Sequence, residues 1–116
     1  MKDTQAEAEL VPLDAMREGA DGACALMKVL ANRDRLLLLC QLAECEKNVG
    51  ELQELLGITQ PTLSQQLAVL REEQLVETRR EGKNIYYRIA SPQALAVMQV
   101  LYTQFCPPAA KRRRRC

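Results

Sequence analysis

TQPTLSQQLAVLREEQ, residues Thr59 to Gln74, is the stretch on which the fold turns. Pro61 is tolerated only in the first turn of a helix, where a missing N–H leaves no bond unmade, so a helix starting near Gln60 is predicted, with Thr59 as its cap. Leu63, Leu67 and Leu70 recur at helical spacing and form one apolar stripe. The remaining surface carries Gln60, Thr62, Ser64, Gln65 and Gln66, neutral hydrogen-bonding groups where a merely solvated helix would carry Lys and Glu. Donors and acceptors of that kind suit base edges in a major groove.

Upstream, Asn48 and Glu51 have capping-box spacing and open a short helix that carries Leu52, Leu55 and Leu56 and stops at Gly57. Asn32 is a predicted cap for a helix through about Glu44, on which Leu36, Leu39, Cys40 and Ala43 keep i, i+3, i+4, i+7 spacing. From Asp14 to Ala31 a further helical stripe runs through Ala20, Cys24, Met27 and Ala31, with Ala23, Leu26 and Leu30 beside it. Downstream, Leu75–Arg80 and Ile85–Ala90 read as two strands turned at EGKN, with Ile85, Tyr87 and Ile89 alternating inward. Ser91-Pro92 supplies the N-cap and first residue of a last helix that ends near Cys106, before Pro107-Pro108. Its apolar residues, from Leu95 to Phe105, cover too many faces for a helix with one wet side, which predicts burial against a second subunit.

The expected organisation is one domain over residues 14–106, a flexible leader over 1–13 and a basic disordered tail over 107–116. Net charge is +1, but unevenly spread: residues 1–27 carry 2 positive and 6 negative charges, residues 28–77 carry 5 and 8, and residues 78–116 carry 9 and 1. A basic last third points toward nucleic acid, although the terminal KRRRRC also reads as a solvated tail. No apolar run approaches the roughly eighteen residues of a membrane span. The acidic, mixed N-terminus lacks the apolar centre of a secretory signal, so a cytoplasmic protein, nucleoid-associated when bound to DNA, is expected. Five cysteines and no histidine make a poor disulfide scaffold in a reducing compartment.

Two helices joined at a glycine, a polar second helix and a basic hairpin together describe a mainly α winged helix-turn-helix with a small β-hairpin, in the order four helices, two strands, one helix. Helix–turn–helix packing alone is common and a basic hairpin can arise by chance; all four features in this order specify DNA binding. Arg79, Arg80 and Lys83 are the phosphate-neutralising wing.

From about Ala25 to Cys106 the chain resembles the ArsR/SmtB family of bacterial winged-helix repressors, on LMKVLANRDRLLLLCQL, on VGELQELLGITQPTLSQQLAVLREEQLVETRREGKNIYYRI and on LYTQFC. The resemblance implies a homodimer formed through the first and last helices, and release from operator DNA on induction. It places the recognition helix at residues 60–72, with Gln60, Thr62, Ser64 and Gln65 contacting bases or phosphates. The metal-sensing members need a Cys-x-Cys pair where this chain has Val49-Gly50-Glu51, or Asp and His ligands near the last helix, and no histidine exists here. Zinc, nickel or cobalt sensing is not expected, and no cofactor is implied.

TQPTLSQQL and YTQFC are similar to the BigR/SqrR branch, sensors of persulfides and polysulfides derived from hydrogen sulfide. That resemblance implies that Cys40 and Cys106 are a redox-sensing pair, joined directly or through extra sulfurs when DNA is released, by thiolate attack on a sulfane sulfur and exchange. Cys40 among leucines also fits a small buried hydrophobe, and its place near a helix C-terminus disfavours a thiolate. Cys24 reads as core or interface packing, Cys45 as a loop residue and Cys116 as part of the tail. Peroxide remains a rival inducer, as does trivalent arsenic or antimony if Cys45 joins Cys40 and Cys106; so does action as an activator that displaces a silencing protein. A thiol-exchange enzyme lacks a Cys-x-x-Cys, a catalytic His and a βαβ pattern. A dimeric interaction module without DNA binding would not need the basic wing.

Overall fold

Short-range hydrogen bonds set most element boundaries. Asn32 Oδ1 accepts from the Arg35 backbone N–H at 3.0 Å, and Ser91 Oγ accepts from that of Ala94 at 3.0 Å. At Asn48 the capping box is complete, with Glu51 N–H to Asn48 Oδ1 at 2.8 Å and Asn48 N–H to Glu51 Oε1 at 2.9 Å. Each bond satisfies a donor that the first turn would otherwise leave open. Thr59 departs from its predicted role: its hydroxyl meets Thr62 Oγ1 at 3.3 Å instead of capping the backbone.

The structure, a computed structural model, describes residues 12–107. The predicted leader up to residue 11 and the tail from residue 108, KRRRRC and Cys116 included, lie outside the described residues. The elements are α1 (Leu13–Leu30), α2 (Arg33–Glu44), β1 (Lys47–Asn48), α3 (Val49–Leu56), α4 (Gln60–Glu72), β2 (Val76–Glu81), β3 (Asn84–Ile89) and α5 (Pro92–Phe105).

Helix α2 is the hub, packed by α1, α3, α4, α5 and β3. Its Leu38 and Leu39 are fully buried, together with Leu52 of α3 and Leu63, Leu67 and Leu70 of α4. Burial of each such side chain contributes roughly 1.5–3 kcal/mol. The seam predicted on α2 is corrected here: Leu38, Leu39 and Leu42 are buried, Leu36 and Cys40 are half-buried, and Ala43 is exposed. A helix enclosed on several sides has no single apolar face for periodicity to find.

The expected hairpin is part of a three-stranded antiparallel sheet ordered β1-β3-β2. Strand β1, two residues long, pairs Lys47 with Tyr87 and Asn48 with Tyr86; so short a strand has no alternation to reveal it. Glu81 pairs with Asn84, leaving Gly82-Lys83 as a two-residue loop. Gly82 has φ +63°, as the first position of a type II′ hairpin requires. Tyr87 and Ile89 pack on the core as predicted, but Ile85, nearer the tip, is 39% exposed.

Helix α1 starts at Leu13, one residue inside the expected leader, and buries only Val29 and Leu30. Ala20, Cys24, Met27 and Ala31, predicted as its packing stripe, are all exposed in the protomer. On α5, Val100 and Phe105 are exposed as well, Phe105 at 79%. Two apolar faces thus lie open on the first and last helices, where the resemblance expects the dimer contact. Among the described residues no helix is long and apolar enough to cross a membrane.

Helix α3 ends at Gly57, whose φ of +69° places it in the left-handed region. A Cβ there meets no atom, so the cost of Gly57→Ala is purely conformational, about 1 kcal/mol. Gly50 is inside α3 and its added Cβ makes only an ordinary 3.5 Å contact with Asn48 Oδ1, so Gly50→Ala is expected to be neutral or stabilising. Thermal unfolding at one fixed protein concentration should show Gly57→Ala melting several degrees below the parent and Gly50→Ala not below it.

Candidate DNA-binding face and thiol pair

Helices α3 and α4, joined through Gly57, make the helix-turn-helix. Burial of Leu63, Leu67 and Leu70 turns the opposite face of α4 outward, so Gln60, Ser64 and Gln65 are exposed and Thr62 is half-buried. Gln66 is spoken for: its Oε1 accepts from Arg35 Nη1 at 2.9 Å, while Arg35 Nε donates to the Val29 carbonyl at 2.6 Å. One α2 side chain therefore ties the end of α1 to the recognition helix.

The structure separates the three predicted wing cations. Arg80 and Lys83 are exposed near the hairpin tip and make no ion pair with a described residue. Arg79 is committed elsewhere, donating from Nε to Glu46 Oε2 at 2.8 Å and from Nη1 to Glu81 Oε1 at 2.8 Å. Its guanidinium also lies 4.8 Å from the Tyr86 ring centroid, a cation–π distance. The Arg79 hydrogen bond holds the Glu46 carboxyl below its ordinary range, and Glu46 and Glu81 hold Arg79 still more firmly protonated. Arg79 shares a sheet face with the Arg88–Glu77 ion pair of 2.6 Å. Tyr87, on the opposite face, borders α4 at Ser64, Ala68 and Arg71.

Cys40, on α2, and Cys106, just past the end of α5, are both half-buried free thiols. Burial pushes the Cys40 thiol up, and negative charge on Cys106 and then on Glu44 pushes it further. The two sulfurs, remote in sequence, are therefore within electrostatic reach of each other. Cys45 is the C-cap of α2, and its sulfur accepts a hydrogen bond from Lys47 Nζ at 3.1 Å. Cys24 is exposed on α1. Among the described residues no three Cys, Asp or Glu side chains gather as a metal site, so Cys40, Cys45 and Cys106 do not converge.

Sequence reading missed Arg35, Glu46 and Lys47. Arg35 and Glu46 act on partners 31 and 33 positions away, beyond any local pattern. The close Cys45/Lys47 spacing was the one available signal.

Residues 32–78 match the model of the bacterial regulatory protein arsR family. The chain is 51% identical over 98 residues to the biofilm growth-associated repressor of Agrobacterium fabrum, covering 84% of each chain. The crystal structure of the transcriptional repressor BigR from Xylella fastidiosa superposes with a TM-score of 0.77 at 46% identity, covering 84% of this chain and 99% of that one. Reduced HlyU from Vibrio cholerae gives 0.78 at 38% identity, covering 82% and 100%. The chain belongs to the ArsR family of winged-helix repressors. It is a DNA-binding transcriptional regulator and not an enzyme; ArsR-family regulators bind operator DNA and typically dimerise.

An ArsR-family protein with Cys40 in this setting should show a distinctive pH profile. Because burial, Cys106 and Glu44 all raise Cys40, its thiolate fraction at neutral pH is low and its reactivity climbs with pH. Peptide-resolved iodoacetamide alkylation should rise about tenfold per pH unit with no plateau at the ordinary thiol value of about 8.5. Cys106→Ser removes a neighbouring negative charge and should move the Cys40 midpoint down, whereas an unchanged midpoint would mean that the thiols do not sense each other.

Proposed function

We propose that this protein is an operator-binding repressor released by reactive sulfur species acting at Cys40 and Cys106. The observation that carries the reading is the packing of α2 against α5, with two half-buried free thiols, Cys40 on the hub helix and Cys106 at the C-cap of α5; the rise in the Cys40 thiol that Cys106 adds to that of burial agrees with it. The similarity to biofilm growth-associated repressors supports the repressor role.

The chemistry balances with a low-molecular-weight persulfide as oxidant. One thiolate attacks the outer sulfur of R–S–SH, forming Cys–S–SH and releasing RS⁻. The second thiolate then attacks the Cys-bound sulfur, closing a Cys40–Cys106 disulfide and expelling HS⁻. Two thiols lose two electrons, and the transferred sulfane sulfur leaves as sulfide. Retention of further sulfurs in the bridge needs a second persulfide. Trivalent arsenic requires three thiolates, and the spread of Cys40, Cys45 and Cys106 does not favour it.

The bridge fixes α2 against α5, and Arg35 carries any displacement of α2 to Gln66 on the recognition helix. Gln60, Thr62, Ser64 and Gln65 are the proposed base and phosphate contacts, with Arg80 and Lys83 as the wing. Arg79 joins them only if DNA draws it from Glu46. Action in the cytoplasm places the regulator beside its DNA.

Labelled DNA from the gene's own upstream region, titrated anaerobically, tests the switch. Persulfide treatment should weaken binding about 5- to 150-fold, the usual range of allosteric coupling, and dithiothreitol should restore it. Cys40→Ser and Cys106→Ser should bind as the reduced parent does and ignore the donor; normal induction of either variant would sink the mechanism. In the same titrations, Lys83→Ala should reduce the slope of log K against log salt by about 0.9 if it contacts one phosphate, while Gln65→Ala should leave the slope and lower discrimination between operator and random DNA.

A further inference from the structure

Lys47 is the buried charged residue among those described, 7% exposed. Its ammonium forms no ion pair with a described carboxylate. Its contacts are the Gln41 carbonyl at 3.3 Å, the Cys45 carbonyl at 3.5 Å and the Cys45 sulfur at 3.1 Å. Simple capping of the α2 C-terminus would draw the ammonium onto the carbonyls; here the sulfur is nearest. A buried ammonium calls for hydrogen-bond acceptors, and the Cys45 sulfur is one of the three it meets among the described residues.

Cys45 also lines an open cleft of about 360 Å³ between α2, the β2–β3 strands and the start of α5. Leu42, Ile89 and Leu95 contribute apolar lining to the cleft, and Arg79 and Arg88 contribute guanidinium groups. Arg79 is paired with the half-buried Glu46 and Arg88 with the exposed Glu77, so a ligand carboxylate must displace these partners, at less cost at Arg88, where the pair is exposed. The cleft thus offers a cation-backed nucleophile, an apolar lining and two guanidinium groups that can take carboxylates.

We propose that Cys45, backed by Lys47, is a second thiol site on this protein, one that takes small anionic disulfides of the carboxylate-bearing thiol-peptide class. The Cys45 thiolate attacks one sulfur of R–S–S–R and forms Cys45–S–S–R. The original S–S bond breaks, and RS⁻ leaves and takes a proton from water. Cys45 is oxidised and one half of the disulfide is reduced. Arg79 and Arg88 hold the ligand's carboxylates in place of Glu46 and Glu77. The site is independent of the Cys40–Cys106 reading, since neither thiol takes part.

The test uses the full chain with Cys24, Cys40, Cys106 and Cys116 each replaced by Ser, leaving Cys45 alone. Intact-mass measurements follow its reaction with glutathione disulfide and with uncharged 2-hydroxyethyl disulfide, folded and in urea. The folded protein is expected to favour glutathione disulfide about tenfold relative to the ratio in urea, the scale on which local charge and access govern thiol exchange. Arg79→Gln with Arg88→Gln should abolish that preference, and Arg33→Gln, which removes an exposed charge elsewhere on α2, should not. Lys47→Met should slow both disulfides and Lys47→Arg should restore part of the rate, with circular dichroism checking the fold. Equal preference in the folded and unfolded chain, or a preference untouched by loss of both cleft arginines, overturns the proposal.

Discussion

Burial of helix α2 is the constraint from which the rest of the structure follows. Leu38 and Leu39 have no solvent exposure, and every other helix, together with β3, rests on this one. Interiors packed this closely do not deform smoothly; a displaced helix carries its neighbours with it. The same helix holds Cys40 on its partly open side and Arg35 near its start. It is thus both the place where a covalent event would be felt and the route by which it would reach Gln66 on α4.

The chemistry at Cys40 runs against the usual recipe for a reactive thiol, because burial, and after it negative charge on Cys106 and Glu44, pushes the thiol up. Fewer thiolates are present at neutral pH, but a thiolate of higher pKa is intrinsically the better nucleophile, and in exchange reactions the two effects partly cancel. Under the proposed function, sulfane sulfur with a good leaving group would need less activation of the thiol than a weak electrophile does. Once a bridge forms, the mutual repulsion of two thiolates is gone. Cys45 has the opposite surroundings, with an ammonium at 3.1 Å.

What the sequence made legible was local. The capping groups Asn32, Asn48 and Ser91 act within three residues of themselves, and Pro61 and Gly57 constrain their own backbone, so helix order and the polar face of α4 could be read directly. The α2 register misled because a centrally enclosed helix lacks one apolar face. Strand β1 escaped because two residues carry no period. Arg79 looked like a free wing cation until the fold brought Glu46 beside it from 33 positions away. The pairing of Cys40 with Cys106 rests on the family resemblance, since nothing in their spacing could bring the end of α5 to the last turns of α2. From sequence Cys45 reads as a loop residue, because its contact with Lys47 depends on the burial of that lysine, a tertiary property.

The open apolar faces of α1 and α5 bear on how little movement a switch of this kind needs. Cys106 directly follows Phe105, the most exposed large apolar side chain among the described residues, so the proposed bond from Cys106 to α2 would fix the end of the very helix whose surface the family uses for dimerisation. Two recognition helices read half-sites about 34 Å apart, and both must enter the groove in register. Specific operator binding is typically about 4–10 kcal/mol better than binding to random DNA, and a coupling of about 1–3 kcal/mol removes a large part of that margin. Under the proposed function, a small change of angle between α2 and α5, doubled by symmetry in a family-type dimer, would suffice to spoil one half-site when the other is seated. The domain can stay fully folded, its core of leucines untouched, and still let go of DNA.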